Sequence, residues 1–219
     1  MNLALQRNLL AAVLSAAVCC PACGQGTFQN LNFEAANVPD VPFGDVGSNV
    51  SASNGVPSWV VYIGGNQVSS MFHNNISLGG AAVAIEGPYW YTSEILEGRY
   101  TVVLQHSTAG PPMAAAIGQT GQVPQDAESL TFYGRGGFTV TFAGQPIPLL
   151  AVGSTSAYTI FEGDIAAFAN QTGELLFQGG GWLDAIQFSD QAIPEPSVLG
   201  LSALGALLLG WRALARGRP

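Results

Sequence analysis

Phe138-Thr139-Val140-Thr141-Phe142 sets three apolar side chains on one face of an extended chain and two threonines on the other. Side chains alternate with period two along a strand, so this pattern builds a half-buried β-strand and cannot form one stripe on a helix. Tyr100, Val102 and Leu104 repeat it against Thr101, Val103 and Gln105, and Leu130 and Phe132 against Ser129 and Thr131. Further short extended runs read at 27–33, 58–63, 82–85, 147–152, 158–161, 174–177 and 183–188. Between them stand Gly64-Gly65-Asn66, Gly87-Pro88, Gly110-Pro111-Pro112, Gly134-Arg135-Gly136-Gly137 and Gly179-Gly180-Gly181. Gly, Pro and Asn are turn residues, so each cluster reads as a break between strands. Many short strands at this spacing predict an all-β fold, an antiparallel β-sandwich or jelly roll over residues 25–188. One helical turn is expected at Asp164-Ile165-Ala166-Ala167-Phe168, with Asp164 as its N-cap.

Charge narrows the partners. Only 9% of the 219 residues are charged, and there are six basic residues, all Arg, against 14 acids. From the start of the chain's acids at Glu34 up to Ile193 there are 13 acids against Arg99 and Arg135, eleven net negative charges. A nucleic-acid binder needs a basic face over the phosphates, so no nucleic-acid partner is expected.

The two ends read as addresses. Arg7 followed by the uncharged run 9–18 and the small residues Ala22 and Gly24 forms a signal peptide over 1–24. All three cysteines, Cys19, Cys20 and Cys23, fall in that leader. The processed chain would then hold no disulfide and no thiolate nucleophile. At the other end an uncharged run, 198–211, is followed by Arg212, Arg216 and Arg218. As a helix it spans roughly 21 Å, which snorkelling by Arg212 would lengthen. The expectation is a single C-terminal transmembrane helix at 197–214 and a basic cytoplasmic tail at 215–219, oriented by the positive-inside rule. Residues 189–196 form the tether.

Pro194-Glu195-Pro196, then a short apolar helix, then a terminal arginine cluster, resemble the PEP-CTERM sorting tail over residues 193–219. That resemblance implies an exported protein of the cell surface or extracellular matrix in a bacterium that makes exopolysaccharide. It implies signal peptidase and an exosortase as processing partners, with an inner-membrane intermediate before processing. The two prolines suit a protease substrate, because they hold the motif extended.

A second resemblance lies in the middle. Asn32-Phe33-Glu34, Glu97-Gly98-Arg99-Tyr100-Thr101-Val102, residues 164–177 and Trp182-Leu183-Asp184-Ala185-Ile186 are similar to the strands of galactose-binding-like jelly rolls. In that family an early Glu and a late Asp hold a structural Ca²⁺, which assigns Glu34 and Asp184 here. Ala185 stands where the family carries a second Asp, and Asn170 where it carries Gly. Oxygen ligands suit Ca²⁺, which takes six to eight of them.

Trp59, Tyr62, Tyr89, Trp90, Tyr91 and Trp182 are the aromatic candidates. Such rings stack on sugars or fill a core; Tyr89, Trp90 and Tyr91 sit in a Gly/Pro-bounded loop, where side chains face solvent. His73 and His106 stand alone. The acid pairs Asp40/Asp45, Glu94/Glu97, Asp126/Glu128 and Glu162/Asp164 are the only material for glycoside hydrolysis by two carboxylates. The resulting expectation is a non-enzymatic β-sandwich that binds glycan or does structural work in an exopolysaccharide matrix. A carbohydrate-active enzyme and a coat protein without a small ligand are the alternatives.

Overall fold

The computed structural model describes residues 25–42, 45–88, 95–110 and 112–193. The leader, the Pro194–Pro196 motif, the apolar run and its arginines, and Tyr89, Trp90 and Tyr91 lie outside the described residues. Among the described residues no helix is long and apolar enough to cross a membrane.

The described chain is all-β, as the alternation predicts. In order its strands are β1 (Asn49–Ser51), β2 (Val60–Ile63), β3 (Asn66–Val68), β4 (Ser70–His73), β5 (Ala82–Glu86) and β6 (Thr101–Gln105). They continue as β7 (Ala115–Gln122), β8 (Ser129–Phe142), β9 (Gln145–Ile147), β10 (Leu149–Ser154), β11 (Thr159–Asp164) and β12 (Thr172–Ser189). One α-turn, Ala52–Gly55, follows β1, and a 3₁₀ turn, Ala166–Phe168, precedes β12. Asp164 Oδ1 accepts the Ala166 N–H at 3.0 Å, so the predicted capping residue sits one position ahead of the observed cap, Ile165.

All strands join one ladder, antiparallel except for β4 beside β5. β12 is its axis. Along one edge it pairs with β8 from Leu175–Phe142 to Ser189–Ser129. Along the other it pairs first with β7, over Thr172–Gly179, and then with β6, over Gly181–Leu183. The order β1-β4-β5-β6 therefore leaves β12 in one direction and β7-β2-β3 in another. β5 also packs against β2 and β7, which brings the two arms against each other.

The change of partner falls on glycines. The runs at 134–137 and 179–181, expected as breaks, lie inside β8 and β12, with Gly136 opposite Gly181 and Gly137 opposite Gly180. Gly136 and Gly181 have φ of +136° and +144°. A Cβ on either would land on a carbonyl oxygen of the facing strand. Glycine here lets two backbones cross closely; it ends no strand.

Between the arms lies a core led by phenylalanine: Phe33, Phe132, Phe142, Phe177 and Phe188 are fully buried. Phe132 stacks on Phe161 at 5.2 Å and meets Phe177 edge-on at the same distance. The alternation holds here, with Val140 and Phe142 buried and Thr139 exposed.

The expected strand at 27–33 is a correction. Asn30 and Phe33 take φ of +51° and +59°, so the chain turns twice. Phe28, Leu31 and Phe33 are nevertheless buried. The segment is tied down by a side chain: Gln119 Oε1 accepts the Gln29 N–H at 2.6 Å, and Gln119 Nε2 donates to the Gln29 carbonyl at 2.9 Å.

Candidate functional site

The outer face of the β2–β7–β12–β8 layer carries a trough. Register places Tyr62 opposite Ala116, Ala116 opposite Gln178 and Gln178 opposite Thr139, one row across four strands. The next row runs Val60, Gly118, Leu176 and Thr141. Small residues in β7 leave the floor low. Two adjoining depressions of about 190 Å³ and 510 Å³ share Ala114 and Gln178. Tyr62 and Glu174 line the first, His106, Phe138 and Thr139 the second.

Tyr62 is fixed across 112 residues of sequence: its hydroxyl donates to Glu174 Oε1 at 2.7 Å. That hydrogen bond, helped by burial and the carboxylate's charge, raises the phenol pKa and keeps the donor protonated. The arrangement offers an aromatic ring, a carboxylate and an amide around an alanine and glycine floor. It suits a flat polyhydroxylated chain, with C–H faces for the ring and hydroxyls for the polar groups.

Of the other sequence candidates, Trp59 is a correction. It is 5% exposed, lies against Phe33 and Phe177, and donates its indole N–H to the Asn30 carbonyl at 3.0 Å. Its ring belongs to the core because Val56 and the 27–33 turns close over it. Trp182 carries the Arg135 guanidinium on its ring at 3.9 Å and donates to Glu86 Oε2 at 2.9 Å. His73 is buried, which lowers its pKa against a small opposing effect of Asp40. Of the paired acids, Asp40 bridges Arg99 at 2.9 Å, and Asp164 accepts from Ala166.

Glu34 and Asp184 do meet one segment, 96–101, which leads into β6. Glu34 Oε1 accepts the N–H groups of Arg99 at 2.7 Å and Tyr100 at 3.0 Å. Gly98, at φ +61°, has no room for a Cβ beside that carboxylate. Asp184 Oδ2 accepts the Thr101 hydroxyl at 2.6 Å and the Glu97 N–H at 3.2 Å, and Oδ1 accepts the Ala185 N–H at 2.8 Å. Burial drives the Asp184 pKa up to about 7, against these donors.

Much of the donor set is already engaged. Ca²⁺ wants several free oxygens, whereas both Asp184 oxygens and Glu34 Oε1 already face N–H or O–H groups. Among the described residues no three His, Cys, Asp or Glu side chains gather as a metal set. The pair instead works as a clamp on the backbone. Replacing Glu34 by Gln keeps the shape but weakens two charge-assisted bonds. The expected result is a melting temperature lower by a few degrees in a thermal scan.

Compared with known proteins, the chain matches no family model, no curated protein and no solved structure.

Proposed function

We propose that the chain is an exported surface or extracellular-matrix protein whose β-sandwich, of jelly-roll type, binds glycan without turning it over. In this reading the leader directs export, and the Pro194–Pro196 motif, apolar helix and arginines direct sorting by an exosortase. The single observation that supports glycan binding is the trough, where the Tyr62–Glu174 pair stands over Ala116 and Gly118. Glycan is favoured over a peptide partner because the face sets the Tyr62 ring beside a carboxylate, an amide and hydroxyl groups.

The test is retention of the exported protein in gels containing neutral exopolysaccharide. The Tyr62→Ala variant is expected to lose about tenfold in apparent affinity, the amount one sugar-stacking ring contributes at roughly 1.4 kcal/mol. Retention equal to wild type would remove the trough from the reading. Sorting is tested separately, by the intact mass of the exported protein: loss of residues 197–219 supports exchange of the tail, and retention of the tail opposes it.

A further inference from the structure

A second recess lies in another part of the fold, where β12 departs from regular pairing. Asp184 pairs with Tyr133 and Gln187 with Thr131, so two residues of β12, Ala185 and Ile186, stand opposite one of β8, Phe132. The extra residue is a β-bulge. Ala185 takes φ +48°, a conformation that glycine or asparagine normally supplies, and the Ile186 N–H donates to the Leu31 carbonyl at 3.0 Å. The bulge and the 25–32 turns enclose a cleft of about 460 Å³, within the range of small-ligand sites.

The lining is mixed. Asn32, Glu97, Thr131, Tyr133 and Gln187 supply polar groups, and Phe28 and Ile186 supply apolar surface. Glu97 and Gln187 are exposed, so their heads are open to a ligand. Tyr133 is held in place by Tyr158, its ring parallel within 9° at 4.2 Å. Neither Arg nor Lys is among the lining residues, and the neighbouring Arg99 is bound to Asp40. The phenol of Tyr133 is pushed to higher pKa chiefly by burial and Tyr158, and further by the charge of Glu97.

We infer that this cleft is a binding site for an amino-sugar unit, with Glu97 facing its ammonium group and Thr131, Tyr133 and Gln187 meeting its hydroxyls. Paired amide and hydroxyl groups match vicinal sugar hydroxyls. A uronic acid is rejected by the same charge that attracts the amine. The eleven net negative charges of the chain up to Ile193 would steer a cationic polymer toward it. This deepens the matrix-glycan reading but uses residues separate from the trough.

The test is calorimetric titration of the full chain, held in a zwitterionic detergent, at about pH 6.5. The probes are the disaccharides of glucosamine, of N-acetylglucosamine and of galacturonic acid. The glucosamine disaccharide is expected to bind about tenfold more tightly than the acetylated one, with the galacturonic acid disaccharide weakest. Glu97→Gln should erase the advantage of the free amine and leave the acetylated disaccharide within about twofold. Gln187→Ala should weaken both by a similar factor. The inference is overturned if the galacturonic acid disaccharide binds as well as glucosamine, if Glu97→Gln behaves as wild type, or if no disaccharide binds. Polymer retention that still depends on Tyr62 would then show that only the cleft has failed.

Discussion

Gly181→Ala is expected to unfold the protein or lower its stability by roughly 4 kcal/mol or more, an extreme loss for one methyl group. The reason is local. Gly181 sits in β12 at φ +144°, and its Cβ would strike the Arg135 carbonyl oxygen of β8. Neither strand can yield, because β12 is held on its other edge by β6. Gly137 is the control: it lies in the same crossing, opposite Gly180, yet a Cβ there meets nothing within contact distance. Gly137→Ala should stay within about 0.5 kcal/mol of wild type, since removing glycine also narrows the unfolded ensemble. Urea midpoints of the two variants give the comparison. Similar midpoints would mean that the crossing glycines serve no close approach.

The second large effect is on pH. Asp184 is fully buried, and its pKa lies at about 7 against 3.8 for an open carboxyl. The folded state thus holds a proton that the unfolded state has released. For a carboxyl raised on folding, the contribution is complete below the unfolded value and is lost as pH climbs through the folded one. Between about pH 4 and pH 7 this group alone should remove roughly 4 kcal/mol of stability. Asp184→Asn cannot titrate, so its stability curve should lack that slope. The quantity to measure is the difference in unfolding free energy between wild type and variant across this window. Parallel curves would show that the carboxyl does not change charge on folding.

Much of the fold was written in local patterns. The alternation at 138–142 gave a strand with the right face inward, whereas β6 at 101–105 is buried on both faces. Gly64-Gly65 forms a two-residue hairpin with both φ positive, as such turns require. What stayed hidden depended on partners far along the chain. β7, with the sequence AAIGQTGQ, has one β-branched apolar residue and becomes a strand because β2 and β12 pair with it on both sides. The glycine runs look like turns until the crossing of β8 and β12 explains them. Phe28, Leu31 and Phe33 are buried as a strand would bury them, yet turns place them there.

The candidate site was less legible. Tyr62 could be named as an aromatic, but its importance rests on Glu174, to which no local spacing points. Trp59 reads the same as Tyr62 in sequence and ends in the core. Glu34 and Asp184 were placed near each other by resemblance, and they do share the 96–101 segment, as backbone acceptors. The bulge at Ala185 gave no signal, because alanine is not a residue that announces a left-handed turn.

The position of β12 in the chain also fixes when folding can finish. Remove it, and the ladder falls into three pieces with no pairing between them: β1-β4-β5-β6, β7-β2-β3, and β8 with β9, β11 and β10. The keystone is thus the last of the described strands to be synthesised, and its partners must wait for it across long stretches of sequence, which makes closure slow. Late assembly is built into the order of the strands.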